Sequence, residues 1–263
     1  MKRTLRKARL LLGVTYAEMM EYRAELYLWA LSGIMPFILM GLWAKAAGET
    51  PMGMPPVDFV RYFLAVFVVR QMTMVWVVWD FEYDVVNGQL SPRLLHPLNP
   101  VWRYVASHVG ERFSRIPFVT ALMGIFFLLY PKAWWVPAPG TLALAILAML
   151  VAFIMRFVMQ YAFAMLAFWT ERANAIEDLW FTLYLFLSGY IAPLEMFPPA
   201  VREATLYTPF PYLVYVPAKL LAGQPVPALT TGFLVTLAWG LVFLALQQVL
   251  WRTGLRRYSA MGA

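Results

Sequence analysis

Residues 189–227 read GYIAPLEMFPPAVREATLYTPFPYLVYVPAKLLAGQPVP. The stretch is apolar enough for a membrane, yet it carries eight prolines: Pro193, Pro198, Pro199, Pro209, Pro211, Pro217, Pro225 and Pro227. A spanning helix must satisfy every backbone group internally, and each interior proline removes a donor and clashes with the preceding turn. Eight prolines argue against a simple span. They predict instead a pair of short, broken helices that dip into one membrane face and return.

Composition sets the surroundings of that segment. Hydrophobic residues make up 62% of the 263 positions and charged ones 13%, with a mean hydropathy of +0.65. A soluble domain carries roughly a quarter charged residues, so the chain reads as an integral membrane protein. A net charge of +7 would suggest nucleic acid in a soluble chain. Here it reads as the basic bias that orients membrane proteins, with no nucleic-acid partner. The chain has no cysteine, which excludes disulfides, iron–sulfur clusters and thiolate metal sites.

About 20 mostly apolar residues are needed to cross 30 Å of hydrocarbon. Six windows qualify: Leu26–Trp43, Val57–Trp79, Phe113–Tyr130, Thr141–Phe168, Leu179–Ile191 with its flanks, and Leu229–Leu250. The basic start is followed by an apolar run too short for a signal peptide. Leu5, Ala8, Leu12, Tyr16, Met19, Tyr22 and Leu26 recur there at helical spacing, with Lys7, Glu18, Glu21 and Glu25 opposite. This predicts an amphipathic helix lying on the membrane surface.

Charge then orients the spans. Lys2, Arg3, Arg6, Lys7, Arg9, Arg23, Arg93, Arg103, Arg112, Arg115, Arg172, Arg252, Arg256 and Arg257 fall on one side, against Lys45, Lys132, Arg202 and Lys219 on the other. That bias places both termini in the cytoplasm. The expected fold is all-α: six transmembrane helices, an amphipathic interface helix over residues 1–25, and a re-entrant outer-face hairpin over 189–227, between spans five and six. The whole is one domain.

The longest cytoplasmic connection, residues 81–112, has too much pattern for a passive loop. Val85, Val86, Leu90, Leu94, Leu95 and Leu98 give it an apolar side, while Gly88, Pro92, Pro97 and Pro100 break it into short helices. It reads either as a docking knob for a soluble partner or as a helix lying flat in the interface. His96 and His108 fall in this loop, with Glu111 one turn beyond His108. Two histidines fall short of the three or four ligands of a metal centre, so both are expected to be solvated. Asp80, Glu82 and Asp84 fan around a helix end rather than converge.

Inside the spans, Arg70 and Gln71 lie near the middle of the second window, and Arg156 and Gln160 near the middle of the fourth, one turn apart. A central arginine must face protein or water. These four residues are candidates for a polar substrate pathway, or else structural ties to carbonyls or to Asp80, Glu177 or Asp178, which the depth of the arginines disfavours. There is no GxxxxGK[ST] loop, HExxH or GxSxG. No enzyme is read here, and no cofactor or metal is expected on the chain. A secondary, ion-coupled transporter is the alternative; the absence of a carboxylate at mid-span weighs against it.

The order of elements is distinctive, and local sequence agrees with it. The runs GQLSPRLLHPLNP (88–100), FWTERANAIEDLW (168–180), the proline-rich stretch and the closing GLRRYSAMGA (254–263) resemble a short sub-family of the ABC-2 type permeases, the membrane subunits of one class of ATP-driven exporters. That resemblance implies a coupling helix in the 81–112 loop, with Val86, Gly88, Leu90, Leu94, Leu95 and Leu98 as contacts for a separate ATP-binding subunit. It implies two permease chains, identical or homologous, forming the pathway between them. ATP and magnesium would be held by the partner subunit, and the proline hairpin (Pro193, Pro198, Pro199, Pro209, Pro211) would cap the outer mouth. The expected location is the bacterial cytoplasmic (inner) membrane.

Overall fold

The computed structural model describes residues 2–50, 52–170, 172–226 and 229–258, without the side chains of residues 2–5, 8, 23, 26, 30 and 32. Readings that fall on Pro227, on the side chains of Lys2, Arg3, Leu5, Ala8, Arg23 and Leu26, and on the closing Ser259–Ala263 lie outside the described residues. Within them the chain is helical, with no strand. Four segments are long and apolar enough to cross a membrane: Pro56–Val86, Val101–Leu129, Pro139–Phe168 and Leu229–Arg257.

Helix α1 (Lys2–Glu21) does more than lie on a surface. It packs along α7 (Val101–Leu129), where Thr15 is buried and its hydroxyl donates to the Ala106 carbonyl at 3.3 Å. Gly110 permits this approach, because a Cβ there would meet the Thr15 hydroxyl at 3.1 Å. Lys7, Glu18 and Glu21 point outward as expected, and so do Tyr16 and Tyr22 of the apolar stripe.

The first expected window is divided. Helix α2 (Arg23–Ser32) ends, and α3 (Met35–Glu49) restarts with Pro36 in its first turn, where the missing N–H costs nothing. The second window also breaks. Helix α4 (Pro56–Thr73) stops, Met74–Trp76 are non-helical, and α5 (Val77–Val86) resumes. No proline or glycine marks that break. Its freed backbone groups are met from α7: His108 Nε2 accepts from the Trp76 N–H at 2.8 Å, and Arg112 Nε donates to the Met72 carbonyl at 3.3 Å.

The expected 81–112 loop is mostly helix. Helix α5 runs on to Val86 and α7 begins at Val101, leaving the connection 87–100 with the five-residue α6 (Leu90–Leu94). Helix α8 (Pro139–Ala164) continues as a 3-10 turn to Phe168. Helix α9 (Asn174–Leu187) starts earlier than the fifth window. Its 14 residues cover about 21 Å at 1.5 Å per residue, short of a 30 Å span.

The proline-rich stretch resolves into a 3-10 turn (Leu194–Met196) and three short helices: α10 (Pro199–Leu206), α11 (Phe210–Leu213) and α12 (Tyr215–Leu221). Pro193, Pro198 and Pro209 stand at N-caps, and Pro199, Pro211 and Pro217 lie in first turns, where backbone N–H groups have no intrahelical acceptor. The segment closes on itself at its base, where the Tyr215 N–H donates to the Ser188 carbonyl at 2.9 Å. Helix α12 then packs into the bundle against α4 and α8.

Gly189 makes that closure possible. Its φ of +83° is left-handed, and a Cβ would meet the Tyr62 hydroxyl at 2.6 Å and Tyr215 Cβ at 2.8 Å. Gly189→Ala is expected to cost about 1–2 kcal/mol from backbone alone, and more from displaced rings. The check is a lower thermal midpoint of the purified chain in detergent.

The last helix, α13 (Leu229–Arg257), meets α8 and its 3-10 extension. Only 11% of its apolar window is buried, against 72% for Pro56–Val86. A helix apolar all round and uncovered faces lipid or another chain.

Candidate functional site

Three of the four pathway candidates meet around α9. Arg70 Nη1 donates to the Tyr190 hydroxyl at 2.6 Å, and the ring of Tyr190 stands 6.1 Å from that of Tyr184. The Arg156 guanidinium lies 4.4 Å from the centre of Tyr184, a cation–π contact. Gln160 Nε2 donates to Glu177 Oε1 at 2.5 Å. Arg156, Gln160 and Glu177 are all buried.

The expectation that depth keeps carboxylates from this group is thus corrected. Glu177 sits in the first turn of α9, and Gln160 lies in the last turns of α8. The short connection between the two helices brings both to one level. The interior also holds Glu111, 7% exposed, so buried carboxylates are present, though among the described residues each of them is tied.

Gln71 belongs elsewhere. Successive helical residues diverge by about 100°, and Gln71 accepts from Arg115 Nη1 of α7 at 2.7 Å. Arg115 pairs with Glu111 at 2.5 Å, and Glu111 pairs with Arg112 at 2.9 Å. Arg112 Nη1 also donates to the His108 carbonyl at 2.9 Å. Arg112 and Arg115, which the charge count placed outside the spans on the cytoplasmic side, are 9% and 4% exposed.

His108 is not solvated either. Its Nδ1–H donates to the Tyr104 carbonyl at 2.8 Å, which leaves Nε2 to accept from Trp76. Nδ1 is thus tied to its own helix, and Nε2 holds the α4–α5 break. His96 is exposed, as expected. A cavity of about 550 Å³ opens beside this network, walled by Trp29, Trp76, Trp79 and Asp80.

Next to it, the three acidic residues of α5 diverge as predicted, but two have duties. Asp84 is buried, accepts from the Tyr104 hydroxyl and pairs with Arg93. Glu82 accepts from the Asn174 N–H at 2.8 Å, capping the start of α9.

The Asp84–Arg93–Tyr104 lock fixes the connection 87–100. Gly88 turns it with φ +71°, and Ser91 Oγ meets the Tyr258 hydroxyl at 3.2 Å. The apolar side expected there splits in two. Leu90 is fully buried with Val85 in an inner core around Phe81, and Val86 is half-buried. Leu94, Leu95 and Leu98 face out, at 36%, 87% and 38% exposure.

At the other end, Glu195 receives hydrogen bonds from Lys219 Nζ at 2.6 Å and the Tyr215 hydroxyl at 2.9 Å. Lys219 is buried, so it is an internal ion pair rather than one of the free outer cations. Burial, then the adjacent Glu195, push the Tyr215 hydroxyl above its ordinary pKa. Tyr62 donates to the Gly189 carbonyl at 2.7 Å, and Trp43 Nε1 to the Ile191 carbonyl at 2.9 Å. The first two bonds tie the proline segment to its own α12, and the last two bind it to α3 and α4.

No curated protein sequence matches the chain. The family described as ABC-2 family transporter protein matches residues 56–262, from the first residue of α4 through α13. Apolar membrane-crossing helices and a match over most of the sequence agree: the chain belongs to the ABC-2 family of transporter membrane proteins.

Proposed function

We propose that the chain is the permease subunit of an ATP-driven exporter. It pairs with a second permease chain, identical or homologous, and takes its drive from a separate ATP-binding subunit that holds the ATP and magnesium. The carrying observation is Leu95. A leucine 87% exposed on a connection pinned by Leu90, Ser91 and Arg93 is a preformed apolar knob, and buried apolar anchors dominate docking energy. Leu94 flanks it on the same connection.

In this reading the chain crosses the bacterial cytoplasmic membrane six times, with α2–α3 as the first span, α9 together with its flanks as the fifth, and both termini cytoplasmic. The proline segment re-enters on the outer face and gates the mouth, with Pro193, Pro198, Pro199, Pro209 and Pro211 setting its corners. Its closure at Ser188 and Tyr215 supports a body that moves as a unit. The uncovered face of α13 supports pairing with a second chain or lipid contact.

The Arg70, Arg156 and Gln160 group faces the cargo route. Arg156 Nη1, Gln160 Oε1 and Glu177 Oε2 have no hydrogen-bond partner among the described residues, one donor and two acceptors, which suits a polar headgroup that both accepts and donates. Gln71 stands apart from this group, where it accepts from Arg115. The test is purification of the tagged chain from its native membrane. A Walker-motif subunit retained in equal amount supports the reading; a chain that transports without one overturns it.

A further inference from the structure

A second cavity, of about 480 Å³, lies between α1 and the connection 87–100. Its cations are Lys7, Arg93 and Arg103, and no carboxylate lines it. Arg93 is engaged by Asp84. Lys7 and Arg103 are exposed and have no ion pair among the described residues. The rest of the wall is mostly apolar, with Leu10, Leu11 and Val14 from α1 and Pro97, Leu98 and Pro100 from the connection, interrupted by His96 and Asn99. Leu10 and Val14 are themselves 60% and 57% exposed.

Two unpaired cations on the wall of a largely apolar groove match one chemistry, a phosphate group carried on an acyl chain. Depth agrees with this. Trp102, next to Arg103, is 55% exposed, and exposed tryptophans at the ends of spanning helices mark the headgroup level. A basic pocket between helices at that level recognises anionic lipid heads. A volume of 480 Å³ lies within the range of ligand pockets, about 300–1,000 Å³, and accommodates a phosphodiester with the upper part of one chain.

We propose that this groove binds one anionic phospholipid, with its phosphate held by Lys7 and Arg103 and its acyl chain laid along Leu10, Val14 and Leu98. The lipid bridges α1 to the connection at Leu98, three residues beyond the exposed Leu95. Membrane charge thereby reaches the segment to which the docking role is assigned. Binding itself does not depend on that assignment.

The test is native mass spectrometry of the delipidated full chain, with dioleoyl phosphatidylglycerol, dioleoyl phosphatidylcholine or inorganic phosphate added separately. One phosphatidylglycerol is expected to remain bound, with about tenfold or greater preference over phosphatidylcholine. The double variant Lys7→Gln, Arg103→Gln is expected to lose that preference. The charge-matched variant Lys132→Gln, Arg202→Gln is expected to keep it. Equal retention of the two lipids, unchanged preference in the first variant, or preference lost equally in the second would overturn the proposal. Displacement of phosphatidylglycerol by millimolar phosphate would also overturn it, because the site would then take a free anion.

Discussion

Glu111→Ala is expected to lower the thermal midpoint of the purified chain by roughly 10 °C, or to prevent its accumulation in the membrane. Glu111 neutralises two guanidinium groups at once, at 2.9 and 2.5 Å, and all three residues are buried. Removing the shared carboxylate strands two positive charges in the interior, a change worth about 3–5 kcal/mol. The damage spreads by contact. Arg112 also serves the Met72 carbonyl and Arg115 serves Gln71, both on α4, so the break between α4 and α5 loses its support. Glu111→Gln keeps the shape and loses the charge, and is expected to recover only a minor part. A variant melting at the wild-type temperature would show that the network is solvated rather than structural.

Leu95→Glu is expected to leave the chain folded and abolish its association with an ATP-binding subunit. At 87% exposure the substitution disturbs nothing within the chain, since surface changes are generally worth less than 0.5 kcal/mol. In a docked interface the same carboxylate is desolvated opposite apolar groups, at a cost of a few kcal/mol, and each 1.4 kcal/mol is tenfold in affinity. A loss of a hundredfold or more follows. Leu90→Glu reverses the pattern: Leu90 is fully buried, so the chain itself is expected to be destabilised. Co-purification and thermal stability, measured on both variants, separate the two roles.

The contrast between those leucines shows what sequence does and does not disclose. The spacing of Val85, Val86, Leu90, Leu94, Leu95 and Leu98 announced an apolar side, but a segment of short helices has no single face: Val85 and Leu90 turn inward, while Leu94, Leu95 and Leu98 face out. The proline segment was legible because proline acts locally: every described proline in it but Pro225 stands at or within the first turn of a short helix. The long apolar runs at 139–168 and 229–257 were legible for the same reason.

The break at Met74–Trp76 was not. Its cause is His108 and Arg112, more than thirty residues away, and nothing in its own residues signals it. The start of α7 was hidden because charge normally reads as solvent, whereas Glu111, Arg112 and Arg115 compensate one another inside. An excess of charged residues directly before a span, of both signs and one turn apart, was the available signal. The same blindness concealed the Gln160–Glu177 bond, since each residue alone lies near a helix end.

The chain contains no cysteine, so a single introduced thiol reports one position without background. Leu95→Cys, treated with a short bifunctional thiol–amine cross-linker in native membranes, tests the docking surface directly. The expected result is a covalent product joining this 30.2 kDa chain to an ATP-binding subunit, absent when the thiol is placed at Val136, which is 72% exposed in the connection between α7 and α8. A Leu95→Cys chain that reacts only with itself, or a Val136→Cys chain that captures the ATP-binding subunit equally well, would contradict the account.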